Sequence, residues 1–353
     1  MPNISWKTIT CGLLVATSGA LFAPGSQAKP LTEIKVSYQP AVYWALPFYI
    51  ATQKGWWAEL GLKPKFSVFP AGVPQMAASA SKSWDVGSTG SVPALLGFQR
   101  FGIQLIGMSN DESAANDLMV RKDKAAEYTK DPQAIKGQPI VLTANSTGDY
   151  AVQSCLKKFG ITKADVTIKS MGQSEIMSAM SSGNATLGGL WAPNTYTMEE
   201  KTGAKILCSG KDAGVVIPGA LVVRAEYAKE HPEDVAKFLA IYERGWKWAN
   251  AHRKEAVAMM GKFYNEGGVN ISEAAMNKEF DTRPTFDLAN QLKVMNRSKG
   301  ASEADGWFTK IAEFMKGNGS IRSIPNPKDY LIDQFFKRVE ADPTLSAFAN
   351  NAN

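Results

Sequence analysis

Three segments of the chain share one construction: an apolar run, a turn of small hydroxyl or glycine residues, then a helix-start signal. They are Asp85-Val86-Gly87-Ser88-Thr89-Gly90-Ser91-Val92-Pro93, Leu142-Thr143-Ala144-Asn145-Ser146-Thr147-Gly148-Asp149-Tyr150 and Gly189-Leu190-Trp191-Ala192-Pro193-Asn194. A helix N-terminus leaves backbone N–H groups unpaired and carries partial positive charge, so it holds an anion without Lys or Arg. Ser88, Thr89, Ser91, Ser146 and Thr147 add hydroxyl donors, and Gly90 belongs to the candidate set as part of the first turn. The plainer account is capping: Ser88, Ser91 and Ser146 would serve their own helices whatever the function. Two such turns in two different parts of the chain favour a shared site.

Ser146 followed three residues later by Asp149 reads as a capping box, the favoured account of Asp149. The alternative is a carboxylate that receives the ammonium end of a zwitterion, since it would repel a simple anion. Glu112, in the turn Asn110-Asp111-Glu112-Ser113, has the same two readings, with a solvated loop as the commoner one. Among the aromatics after the first strand, Phe48 and Tyr49 are assigned to the core, while Trp44 and Trp191 are candidates for a ligand wall. Gln39 and Tyr150 complete the candidate set. Arg283, in Arg283-Pro284-Thr285-Phe286, has two readings, a bidentate anion contact and a surface position, of which the surface position is favoured.

Enzyme signatures are weak. His231 and His252 belong to no nucleophile triad or metal-ligand spacing, and the sequence has no Gly-rich phosphate loop, CxxC or HExxH. We therefore expect binding rather than catalysis, with no cofactor and no metal.

The elements that must position these turns alternate from residue 33 onward. Short β-branched runs and helical patterns follow one another, the pattern of α/β units with mostly parallel sheets. Open sheets of this kind bind ligands at the carboxyl ends of their strands, where the three turns lie. A second α/β series begins at Ile140, after the polar, turn-rich stretch Lys122 to Gly137. Beyond the Leu221 to Arg224 strand the pattern is helical almost to the end. We expect residues 29–121 and 223–353 to form one lobe and residues 122–222 the other, with the chain crossing near Arg121 and near Val223.

The chain has 353 residues, 44% hydrophobic and 20% charged, which is ordinary for a globular protein that buries its own core. A net charge of +6 without a basic run argues against nucleic acid as a partner. Lys7, the apolar run Ile9 to Phe22 and the small residues of Ser26-Gln27-Ala28 read as a secretory signal, residues 1–28, shorter than the roughly 20 apolar residues of a membrane span. Cys11 lies inside that run, not at a lipid-attachment point, so a free periplasmic protein is expected. Cleavage would leave Cys155 and Cys208, and both a disulfide and two separate buried thiols are open to them.

The order of motifs resembles the nitrate, sulfonate and taurine class of ABC substrate-binding proteins, related to the thiamine-pyrimidine precursor binders and synthases. The stretches that carry the resemblance are Gly55-Trp56-Trp57-Ala58-Glu59-Leu60-Gly61-Leu62, Asp85 to Leu95, Asn145 to Tyr150 with Phe159-Gly160-Ile161, Gly189 to Pro193, Leu221 to Arg224 and Glu230-His231-Pro232-Glu233. It implies a two-lobed, type II periplasmic binding protein with two crossovers, closing about a hinge on a small organic anion and delivering it to membrane permease subunits of an ABC importer. The anion would rest on the Ser88 to Ser91 and Ser146-Thr147 turns, with Trp191 on the wall. An aliphatic sulfonate or a taurine-like compound is the expected ligand; a carboxylate, nitrate, an aminopyrimidine, or a pyrimidine-synthase-like activity are the alternatives. One departure is specific: an acidic residue that taurine binders carry before the Val-Val-Arg strand is replaced by Pro218-Gly219-Ala220, so an ammonium would fall to Asp149 or Glu112.

Overall fold

The computed structural model describes residues 30–353. The expected signal segment and its cut after Ala28 lie outside the described residues. The strands are β1 (Thr32–Tyr38), β2 (Leu62–Val68), β3 (Val86–Gly90), β4 (Ile103–Asp111), β5 (Asn116–Val120), β6 (Pro139–Leu142), β7 (Thr167–Ser170), β8 (Leu187–Trp191), β9 (Lys205–Ser209) and β10 (Pro218–Arg224). They form two five-stranded sheets, ordered β2-β1-β3-β10-β4 and β7-β6-β8-β5-β9, each with helices on both faces.

In each sheet four strands run one way and one runs against them: β10 is antiparallel to β3 and β4, and β5 to β8 and β9. That lone strand is the first after the chain arrives from the other sheet. It starts where its neighbours end, as the pairs Pro218 with Asp111 and Asn116 with Trp191 record. The carboxyl ends of both sheets therefore face one junction, crossed twice by the chain. The two crossing segments are bonded to each other: Glu112 N–H donates to Ile217 O at 2.8 Å, and Lys211 N–H to Ser113 O at 2.8 Å.

The crossings lie between Asp111 and Asn116 and between Ser209 and Pro218, earlier than the expected positions near Arg121 and Val223. The difference comes from β5, which the sequence did not announce. Its residues Asn116 and Asp117 are polar, yet all five residues are buried, since a central strand is covered on both faces. The polar stretch after it, read as turn-rich, is a helix at Lys122–Lys130 with only Tyr128 buried. The C-terminal helices pack against the first sheet in one continuous core that includes Phe238, Tyr242, Phe308 and Phe336 with Ile34, Val36 and Leu105. Leu118, Val152, Leu156 and Leu187 fill one face of the second sheet, and Met119, Ile176, Met180 and Leu190 the other.

Cys155 and Cys208 are joined as a disulfide with their Cα atoms 5.9 Å apart, tying the Thr147–Lys158 helix to the end of β9. Chain-entropy reasoning assigns a cross-link over a separation of 53 residues about 4 kcal/mol of stability. Replacing both cysteines with Ala should then lower the unfolding midpoint by roughly 10 °C in scanning calorimetry. An unchanged midpoint would show that the bond adds nothing to the packed second lobe.

Candidate functional site

The first turn of the site has no loop: β3 runs through Ser88, Thr89 and Gly90 directly into the Ser91–Phe101 helix, with extended backbone at Gly90 (φ −74°, ψ 155°). The second turn leads from β6 through Asn145 to the Thr147–Lys158 helix, capped by Ser146. The Ser146 hydroxyl accepts from Asp149 N–H at 3.1 Å and donates to Thr143 O at 2.6 Å. The Asp149 carboxylate accepts from Asn145 N–H at 3.0 Å and from the Gln153 side chain at 2.7 Å, and burial pushes its carboxyl up. Asp149 is thus committed to its own helix start, one residue displaced from a standard box. Ser146→Ala should cost about 1 kcal/mol of stability and leave ligand affinity nearly unchanged, to be read by denaturant titration beside calorimetric binding. A large affinity loss without destabilisation would reverse that assignment.

The two helix starts meet. A methyl group built on Gly90 would lie 2.7 Å from Thr147 Cγ2, so the two turns face each other across the junction with the Thr147 side chain against the Gly90 backbone. The Ser88 and Ser91 hydroxyls are buried without a hydrogen-bond partner among the described residues. Thr147 Oγ1 donates to Asn116 Oδ1 at 3.2 Å, and Asn116 Nδ2 donates to Glu112 O at 3.0 Å and more weakly to Glu112 Oε2 at 3.4 Å. Trp44 Nε1 donates to Glu112 Oε1 at 2.9 Å. Gln39 Nε2 reaches Thr89 Oγ1 at 2.7 Å and Gln75 Oε1 at 2.8 Å. Trp191 lies against Gly148, where a Cβ would come within 3.2 Å of its ring.

Gln39, Trp44, Ser88, Thr89, Gly90, Ser91, Glu112, Thr147 and Trp191 therefore gather at the junction. Ser146 and Asp149 serve the cap beside it, and Tyr150 is buried against Phe314 of the C-terminal helices, ring centroids 4.9 Å apart. Glu112 is not on a solvated loop: it is fully buried, because the crossing segment runs between the lobes. Burial pushes its carboxyl up to about 7, against the opposing pull of Arg283 and of the Trp44 and Asn116 hydrogen bonds. Gly219 makes room for it, since a Cβ there would be 2.6 Å from Glu112 Oε1. Asn116, Gln75 and Gly219 were not among the expected residues. Asn116 was hidden with β5, and Gln75 looked like any polar residue of a short helix.

Arg283 is a second correction. It is 3% exposed rather than on the surface. Asp111 N–H donates to Pro284 O at 2.9 Å, and Thr285 bridges to Asn110, which draws this segment against the end of β4 and turns the guanidinium inward. There it pairs with Glu279 at 2.9 Å and lies 3.3 Å over the Tyr43 ring.

The family model described as NMT1/THI5 like matches residues 45–256. A Bacillus subtilis protein that carries the name aliphatic sulfonates-binding protein is 31% identical over 249 residues, 69% of this chain and 73% of its own. In fold, the chain is similar to the alkanesulfonate-binding protein SsuA from Xanthomonas axonopodis pv. citri bound to MOPS, with a TM-score of 0.70 at 16% identity over 87% of this chain and all of that one. It is equally similar to the periplasmic nitrate-binding protein NrtA from Synechocystis PCC 6803, with a TM-score of 0.70 at 10% identity over 90% and 91% of the two chains. At these identities the likeness is one of fold, over nearly the whole of each chain. With its sequence matched across both lobes, the chain belongs to the NMT1/THI5-like family.

Proposed function

We propose that this protein is the periplasmic solute-binding component of an ABC importer and that it carries a small organic anion, foremost an aliphatic sulfonate, in the cleft between its lobes. The observation that carries this reading is the meeting of two helix N-termini from different lobes at Gly90 and Thr147, with the buried Ser88 and Ser91 hydroxyls beside them. The N–H groups of Ser91, Val92, Thr147 and Gly148 head the two helices, and none of these positions holds Lys or Arg. Such a cradle suits a compact oxyanion with several acceptors and delocalised charge. Closing two lobes on it is a hinge motion that removes the anion from water.

The sulfonate assignment is supported by the name of the Bacillus subtilis relative and by the MOPS-bound SsuA of the same fold, while the nitrate-binding protein of that fold extends the choice to another oxyanion. A binding role, release from the membrane after cleavage behind Ala28, and delivery to permease subunits complete the proposal. The exported protein should be screened by thermal shift against methanesulfonate, MOPS, taurine, nitrate, benzoate and an aminopyrimidine. A true ligand at about 100 times its dissociation constant adds about 2.7 kcal/mol, a plain rise in midpoint. A rise with the aminopyrimidine alone, and none with any sulfonate, would overturn the assignment.

A further inference from the structure

At the junction the Glu273–Thr282 helix packs on the first lobe through Met276 and also touches the second lobe. Ala275 and Ile271 form a small apolar cluster with Ala115 of the crossing and Ala192 and Tyr196 of the second lobe, separate from the main core. Tyr196 OH bonds Thr282 Oγ1 at 2.8 Å, and Lys278 pairs with Glu199 at 3.1 Å. Arg283, at the end of this helix, reaches Ala115 O and Ala192 O at 3.4 Å each. One element of the first lobe is thereby fastened to the second by side chains alone.

The charges inside this contact do not balance. The buried Glu279 carboxyl of the same helix lies 2.9 Å from the Arg283 guanidinium, and two more buried carboxyl groups, Glu112 of the first crossing and Asp117 of β5, flank in the chain the Ala115 whose carbonyl Arg283 reaches. Both Asp117 oxygens are buried without a hydrogen-bond partner among the described residues. The other titratable or charged groups that face the cluster are Tyr43, Tyr196, Tyr264, Glu199, Lys278 and Asp212. One guanidinium compensates one carboxylate, and a second or third ionised carboxylate in a buried site is disfavoured.

We propose that the Glu273–Thr282 helix with Arg283 is a proton-coupled latch that holds the two lobes together. Closure buries more acid than base, so the closed form takes up protons that the open, solvated form releases. Burial raises all three carboxyls, Glu112 to about 7. For groups raised in the closed form, the closed state is fully favoured below the ordinary carboxylate range and loses ground as pH climbs toward the raised values. The latch rests on the two-lobed closure and not on the identity of the ligand.

The test uses the ligand-free exported protein with nitroxides at Lys63→Cys and Lys169→Cys, exposed positions in the two sheets, and reads the interlobe distance by pulsed EPR. The closed-to-open ratio should fall about tenfold or more between about pH 6 and pH 8, as one proton per closure requires. Glu279→Gln and Asp117→Asn should raise the ratio at the upper pH and flatten the dependence. Arg283→Met should lower it at least about tenfold at the lower pH, and Arg283→Lys should restore part of that, which a purely space-filling role would not. Should Arg283→Met fail to fold by circular dichroism, Tyr196→Phe and Lys278→Ala, at the margin of the contact, must lower the ratio. A ratio that ignores pH in the parent protein, or ignores these substitutions, overturns the latch. Without ligand in the experiment, its failure leaves the binding proposal intact, and a failed ligand screen leaves the latch standing.

Discussion

Gly90→Val is expected to leave both lobes folded and to weaken ligand binding on the order of a hundredfold. The substitution is compatible with the local backbone, which is extended at this residue, a conformation β-branched side chains accept. Its cost arises across the junction, where even the first carbon would stand 2.7 Å from Thr147 Cγ2. Overpacking of this kind costs about 1 to 3 kcal/mol in a contact that cannot move. Here the contact can be relieved by opening the lobes, so the cost is transferred from folding to closure and appears as roughly ten- to hundredfold lost affinity. Gly90→Ala should fall near the lower end. Thr147→Ser removes the clashing methyl and keeps the hydroxyl that bonds Asn116, so in the Gly90→Ala background it should recover most of the loss. A calorimetric cycle of the three variants isolates this coupling. Parent-like affinity in Gly90→Val would mean that the two turns do not close on the ligand.

How far the site was legible in the sequence depends on whether a residue acts through local or distant partners. The helix starts at Ser91 and Thr147 follow from small residues between an apolar run and a helical one, and the Ser146 cap is a bond between residues three apart. These are local facts. Glu112 and Arg283 were misplaced for the opposite reason: a charged residue in a polar turn looks solvated unless one knows which element covers it. Burial at these positions comes from β10, the Val42–Lys54 helix and the Tyr43 ring, all distant in sequence. β5 carries no period-two signal, since a strand covered on both faces has none, and with it went Asn116 and the true place of the first crossing. The Cys155–Cys208 pair stayed open because pairing needs the register of β9 against the helix that carries Cys155.

Glu112 gives the prediction that separates ligand classes. Its carboxyl lies one hydrogen-bonded residue, Asn116, away from Thr147, and it occupies space left by Gly219 in the Pro218-Gly219-Ala220 stretch. With the carboxyl raised to about 7 by burial, the group is largely protonated below neutrality and largely ionised above it. A simple sulfonate in the cradle favours the neutral form, because a second negative charge within a buried site is repelled. Its affinity should therefore be level below about pH 7 and fall about tenfold for each further unit of pH, as uptake of one proton on binding requires. Glu112→Gln fixes the neutral form at this position: methanesulfonate should then bind with a clearly shallower slope, and at about pH 8 roughly tenfold more tightly than to the parent. An ω-amino sulfonate such as taurine should behave in the opposite way. Its ammonium favours the ionised carboxylate, so affinity rises through pH 7, and Glu112→Gln removes a charge-assisted bond worth about 1.5 to 3 kcal/mol, about ten- to a hundredfold. Calorimetric titration of both ligands across this range, in two buffers of different ionisation enthalpy, reads the slope and the proton uptake together. Equal affinities with equal pH dependence in parent and variant for both ligands would remove Glu112 from the site, and with it the carboxylate bonded through Asn116 to Thr147.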